Sequence, residues 1–194
     1  MATLLRQAAC SISLIEKGWK LGSTKIAVAV DLVEEIVKSK NSVLVFSQFT
    51  SFLGMAKTQI EERIGKDKLF YLDGSTPIRK REKMVADFQH GLVPVFLISL
   101  KAGGLGLNLT NANYVIHLDP WWNHAIEQQA TDRAYRIGQN KNVTVYHLIS
   151  RHTIEEKILR LHKTKRDLAD SLLSGSNVSR AMTIDDLKFL VEQN

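Results

Sequence analysis

Val43-Leu44-Val45-Phe46-Ser47-Gln48-Phe49 is the stretch whose reading decides the fold. Four consecutive apolar residues running into a polar turn are the pattern of a short strand covered on both faces, as in a parallel sheet. Upstream, Ser23 stands as an N-cap before Ile26, Ala29, Val30, Val33, Ile36 and Val37, which recur at helical spacing to about Lys38. Downstream the alternation repeats. A helix is expected from about Ser51 to Arg63 and a strand over Leu69–Leu72. Pro77 takes a first helical position, with Val85 and Phe88 facing inward from the helix that follows. Further strands are expected over Val95–Ser99, Tyr114–Leu118 and Val143–Ile149, with a helix from about Ala125 to Tyr135 between the last two. Strands alternating with helices predict right-handed β-α-β units in an α/β fold, a doubly wound parallel sheet with helices on both faces.

The ends of the chain read differently. Residues 1–22 form a lead-in segment or short helix closing in turns at Gly18 and Gly22. Residues 23–152 make the sheet domain. Residues 153–194 make a helical appendage, opened by Thr153-Ile154-Glu155-Glu156 in the form of a capping box. Ile154, Ile158, Leu161, Leu168 and Leu172 mark one face of its long helix, Ser174-Gly175-Ser176-Asn177 breaks it, and a short helix is expected over 184–191.

Composition narrows the function classes. With 44% apolar residues, 194 residues suffice for one domain with a real core. Lys and Arg number 26 against 20 Asp and Glu, and the resulting +6 fits a polyanionic partner such as nucleic acid or a nucleotide. The single cysteine, Cys10, excludes an internal disulfide framework; it reads as a small buried residue in a reducing interior. No signal-peptide pattern and no membrane-length apolar run is present, so an intracellular protein without membrane contact is expected.

Open parallel sheets hold ligands at the carboxyl ends of their strands. Ser47-Gln48-Phe49 follows one strand here, and Asp73-Gly74-Ser75-Thr76 with Arg79, Lys80, Arg81 and Lys83 follows another. Ser99–Thr110 and Asp119-Pro120-Trp121-Trp122-Asn123 follow two more. Gly103, Gly104 and Gly106 let backbone N–H groups approach a phosphate, and Lys101 beside them favours that contact. They are not a dinucleotide fingerprint, because counting from Gly104 the last glycine position holds Leu109. In Gln129–Gln139, Arg133 and Arg136 lie three residues apart at the end of the expected helix and so share a face. Two planar, permanently charged forks on one edge suit phosphate oxygens and have the form of arginine fingers. Asp132 stands ready to orient Arg133 through a salt bridge. A Walker A loop is missing: Gly18–Lys25 has the wrong spacing and puts Ser23 where lysine belongs. No Walker B pair follows a strand. The chain thus carries candidate fingers without a triphosphate cradle or evident magnesium ligands, and alone it is expected not to hydrolyse ATP. Plainer roles stand beside these. Arg79, Lys80 and Lys83 read as a solvated helix face, Trp121 and Trp122 as core aromatics, and His117 and His147 as packed strand histidines without metal-ligand spacing.

Together these motifs resemble the Swi/Snf-type DNA translocases of helicase superfamily two, in the second, C-terminal RecA-like lobe of the motor. The matching blocks are Val43–Phe49, Leu72–Thr76 with Arg81, Ser99–Thr110 running into Tyr114–Asn123, and Gln129–Gln139. The resemblance covers about Leu4 to Leu172 and departs from the usual pattern at His124 and Tyr135. It implies ATP, with Mg2+, bound mainly by a first lobe that carries the Walker motifs, and Arg133 and Arg136 reaching across to the γ-phosphate. Gly106, Asn108 and Gln129 would lie on the nucleotide edge. Ser75, Thr76, Arg81, Lys101, Gly103, Gly104 and Trp121 would hold double-stranded DNA, chiefly by its backbone. Lobe closure on ATP and reopening after hydrolysis would drive stepwise translocation. The alternatives are a stand-alone nucleic-acid-binding module and the corresponding lobe of a related unwinding helicase.

Overall fold

The structure is a computed structural model that describes residues 2–16, 18–19, 22–100, 102, 107–136, 139 and 141–173, with side chains described as far as residue 164. The elements run α1 (Ala2–Cys10), α2 (Thr24–Lys38), β1 (Val43–Ser47), α3 (Thr50–Ile64), β2 (Leu69–Leu72), α4 (Ile78–Gln89), β3 (Val95–Ser99), β4 (Tyr114–His117), α5 (His124–Thr131), β5 (Thr144–His147) and α6 (Ile154–Leu173), with single 3-10 turns at Ile12–Leu14 and Lys66–Lys68. The five strands form one sheet in the order β2-β3-β1-β4-β5. Every pairing is parallel, with Val43 opposite Val95 on one side and Tyr114 on the other.

Alternate residues of each central strand feed two separate cores, as the period of two requires. Val43, Val45, Val95, Leu97 and Ile116 pack with Ile26 and Val33 of α2 and Phe52 and Ile60 of α3. Leu44, Phe46, Phe96, Ile98 and Val115 pack on the opposite face with Met84 and Phe88 of α4 and Ala130 of α5. This division follows from strand order. The chain moves from β1 to one edge at β2, then back through β3 and across β1 to β4 and β5. Right-handed crossovers in opposite directions place α3 on one face and α4 and α5 on the other. The reversal falls around β1, the switch point where such sheets open a ligand crevice.

Local chemistry explains the boundaries. Ser23 caps α2, its Oγ accepting from Ile26 N at 3.4 Å and donating to Cys10 O at 2.7 Å. The lead-in is ordered as α1, and Cys10 is buried in the core. Pro77 stands just before α4 in extended conformation, one position earlier than expected. Thr153 Oγ1 accepts from Glu155 N at 3.2 Å at the start of α6, while the Glu155 side chain turns inward. The largest departure is α5, which ends at Thr131 rather than near Tyr135. Arg133 N and Ala134 N bond to Ala130 O and Thr131 O in tight three-residue turns. Arg133 and Arg136 therefore do not share a helix face. The helix expected over 184–191 lies outside the described residues. Among the described residues no helix is long and apolar enough to cross a membrane.

Candidate nucleotide and nucleic-acid interface

Because the strands are parallel, their carboxyl ends share one edge, and Asp119 sits at its centre. Its carboxylate accepts a short hydrogen bond from Ser47 Oγ and a longer one from Gln48 N at 3.4 Å. Asp119 is 1% exposed. Burial raises its pKa from the usual carboxylate range to about 6, against the opposing pull of the Ser47 hydroxyl, Arg6 and Lys25. Ser99, ending β3, accepts from Ala102 N at 3.3 Å. Lys101, Gly103, Gly104 and Gly106 lie outside the described residues.

A contact from α1 holds the loop after β4. Arg6 is buried and donates from Nη2 to Pro120 O at 2.9 Å. Its guanidinium lies 4.4 Å from the Trp122 ring, 5.8 Å from Trp121 and 5.5 Å from Phe49. Aromatic faces partly replace the water that such a cation has lost, yet burial still lowers its pKa to about 10. Trp122 packs on Ile154 and Ile158 of α6, and half-buried Trp121 packs on the core beneath α4 and α5. Both tryptophans have a packing role.

After β2, Asp73 Oδ1 accepts from Ser75 N at 2.9 Å and Ser75 Oγ at 2.6 Å, while Thr76 Oγ1 accepts from Asp73 N at 3.2 Å. The Ser75 hydroxyl, above all, holds the Asp73 carboxyl below its ordinary pKa. Arg81 reaches back from α4 to donate to Thr76 O at 3.3 Å. It is buried, with its Nε unpartnered among the described residues. Ser75, Thr76 and Arg81 are thus one turn, with Ser75 at the surface. Arg79, Lys80 and Lys83 are exposed along α4, as a solvated face requires.

The arginine turn is fastened to the segment following the glycines. Leu109 N donates to Arg133 O at 3.0 Å. Gln139 Nε2 reaches Thr110 O at 2.9 Å, Ala112 O at 2.8 Å and Ala134 O at 3.1 Å. Asn108, the residue before Leu109, is exposed; Gln129 is exposed on α5, and Arg136 is exposed beyond it. Arg133 is 3% exposed, and its Nε and Nη1 have no hydrogen-bond partner among the described residues. Burial, then the charge of Arg136, lowers its pKa to about 10. Asp132 does not orient it: the Asp132 carboxylate accepts from Gln128 Nε2 at 2.9 Å instead.

Histidines gather behind this edge. His117 is stacked between Phe46 and His147, with ring centroids 5.5 and 4.9 Å away. His147 is not packed inside; it lies on edge strand β5 and its Nδ1 sits 2.7 Å from Glu127 Oε1. Glu127 Oε2 accepts from Trp121 N at 3.3 Å. One ligand atom each of His124, Glu127 and His162 lie within 4.8 Å of one another, a cluster the sequence reading did not anticipate.

The helicase conserved C-terminal domain family matches residues 24–138, from the first residue of α2 into the arginine turn. The chain belongs to that family. It is 41% identical over 168 residues to the putative ATP-dependent helicase/translocase YwqA of Bacillus subtilis, covering 87% of this chain and 18% of that protein. To the chromatin-remodeling ATPase INO80 of Homo sapiens it is 45% identical over 151 residues, 77% of this chain and 10% of that one. The chain thus spans under a fifth of the length of these relatives. Among solved structures, the SWI2/SNF2 ATPase C-terminal domain of Sulfolobus solfataricus superposes with a TM-score of 0.72 at 29% identity, over 98% of this chain and 80% of that one. The same organism's SWI2/SNF2 ATPase core in complex with dsDNA gives 0.73 at 32% identity, over 98% of this chain and 39% of that one. The helicase C-terminal domain described here is therefore RecA-like and of the Swi/Snf type, a second lobe in sequence and in fold.

Proposed function

We propose that this domain is the second motor lobe of a DNA-dependent ATPase that moves along double-stranded DNA and remodels protein–DNA complexes inside the cell. The observation that carries the reading is Arg133. A guanidinium held almost wholly out of water with two nitrogens unpartnered among the described residues is costly. An anion arriving at this edge offsets that cost. ATP is that anion, brought with Mg2+ by an N-terminal RecA-like lobe of the same parent polypeptide. Arg136, exposed three residues on, reaches the γ-phosphate, where positive charge counts most as the phosphoryl group transfers. Gly106, Asn108 and Gln129 line the nucleotide side.

Ser75, Thr76, Arg81, Lys101, Gly103, Gly104 and Trp121 serve the duplex. Hydroxyls, backbone N–H groups and cations of this kind bind phosphates and so hold DNA regardless of sequence. Nucleotide-driven closure and opening of two lobes, each gripping the backbone in turn, moves the motor along. Support comes from the dsDNA complex of the Sulfolobus core and from the translocase description of the Bacillus relative. The test is displacement of a third strand from duplex DNA by the parent polypeptide. ATP-dependent displacement is expected, with Lys101→Ala weakening duplex binding and flattening its salt dependence. Absence of displacement, together with ATP turnover indifferent to duplex DNA, would overturn the reading.

A further inference from the structure

We propose that His124, Glu127 and His162 bind one divalent transition-metal ion, zinc by the character of the donors, and that the ion bolts α6 onto α5. His124 and Glu127 are three residues apart on α5 and so project from one face. His162 comes from α6. One ligand atom from each lies within 4.8 Å of the other two. Two imidazoles and a carboxylate are a common zinc set, with bonds of about 2.0–2.2 Å and a fourth position left to water. Donors around such an ion stand about 3.4 Å apart, so the side chains need move by about 1 Å to close on it. The imidazole rings of His124 and His162 are already 5.3 Å apart, centroid to centroid.

The surroundings of the three groups favour ligation. Metal-binding histidines characteristically donate their second ring nitrogen to a backbone carbonyl or carboxylate, which fixes tautomer and orientation. His162 Nε2 lies 3.1 Å from Trp122 O. A carbonyl can only accept, so Nε2 carries a proton, and Nδ1 is the nitrogen that would take the ion. Glu127 Oε2 is held by Trp121 N at 3.3 Å. Backbone groups of two adjacent tryptophans therefore orient two of the three donors. The ion must share Glu127 with His147, whose Nδ1 sits 2.7 Å from Oε1, and that competition makes the site one of moderate affinity. The consequence is mechanical. α5 leads directly into the arginine turn, and Trp122 packs on Ile154 and Ile158 of α6, so an ion between the helices stiffens the base from which Arg133 and Arg136 project. The inference does not rest on the motor reading.

The experiment uses the untagged protein, stripped with chelator and titrated with Co2+ and then Zn2+. One equivalent of Co2+ is expected to give the visible ligand-field absorption of a low-coordinate site, without thiolate charge transfer, and Zn2+ is expected to displace it and raise Tm. His124→Ala and His162→Ala, each checked for a native circular dichroism spectrum without metal, are expected to lose at least about tenfold in affinity, since even outer-shell changes at such sites cost 10–100-fold. Lys163→Ala, an exposed neighbour, is expected to bind as wild type. No cobalt absorption and no Tm rise in the wild type would overturn the proposal. So would wild-type binding retained in both folded histidine variants, because exposed His90 or His152 would then hold the ion.

Discussion

Lowering the pH should destabilise the domain through His117, and replacing that ring should remove the effect. His117 is 1% exposed. Its Nε2 faces Thr131 Oγ1 at 2.9 Å, and Thr131 Oγ1 is itself the donor to Glu127 O, so Nε2 carries the proton. Nδ1 has no partner among the described residues. A second proton would leave a charged N–H buried and unpaired, and burial accordingly lowers the pKa from 6.5 to about 4, more than the Glu127 carboxylate restores. A depressed folded-state pKa means that the stabilisation is complete above the unfolded value and is lost as pH falls towards the folded one. At about 1.4 kcal/mol for each pH unit, roughly 2 kcal/mol should be gone by pH 5 and about 3 kcal/mol by pH 4. His117→Phe keeps a ring between Phe46 and His147 but cannot titrate. Urea unfolding of both proteins between pH 7.5 and pH 4.5 measures the difference directly. Wild type should lose ground to the variant steadily below pH 6.5. A stability difference independent of pH would refute the reasoning, since the ring would then protonate equally well folded and unfolded.

Asp119 should act with the opposite sign. Its folded pKa of about 6 lies above the ordinary 3.8, so its contribution is complete at low pH and fades as pH rises through 6. Asp119→Asn should therefore gain on wild type by about 2 kcal/mol between pH 4 and pH 7 in the same unfolding series. Glu155→Gln breaks the buried contact with Lys25 Nζ, 2.5 Å long and joining α6 to α2. It should cost about 3–5 kcal/mol in urea unfolding, and a loss below about 1 kcal/mol would show that the pair is solvated. Arg81→Ala should weaken duplex binding alike on unrelated sequences and lower the log–log salt slope by about one phosphate contact, measured by fluorescence anisotropy across salt concentrations.

The sheet was readable because its central strands are covered on both sides. Val43–Phe46 and Val95–Ser99 are short apolar runs for that reason, and a buried parallel strand leaves few other ways to write them, while the edge strand Leu69–Leu72 is fully buried only at its two ends. Ser23 announced its cap through a side chain acting on its own neighbours. The end of α5 misled because Ala130 and Ala134 keep helical spacing and both are buried, although the chain between them has already tightened into turns. Leu109 N reaches that turn from far along the chain, and the Gln139 amide fastens it through the equally distant Thr110 and Ala112, so neither leaves a local mark. The same is true of Arg6 on Pro120 and of Lys25 on Glu155. In a basic chain such residues read as surface charge, and only the fold brings them to partners more than a hundred positions away. The His124–Glu127 half of the metal cluster was present as helical spacing. Its third member became visible only when α6 was laid against α5.

The central claim is that this lobe completes an ATPase site with its arginines. ATP turnover by the intact parent polypeptide, with and without duplex DNA, for wild type and Arg136→Ala tests it most directly. The account predicts strong DNA stimulation in the wild type and a loss of about 10³-fold or more in the variant, with duplex affinity nearly unchanged, because the finger acts on the transferring phosphoryl group. Turnover that survives the substitution, or that falls only in step with DNA affinity, would contradict it.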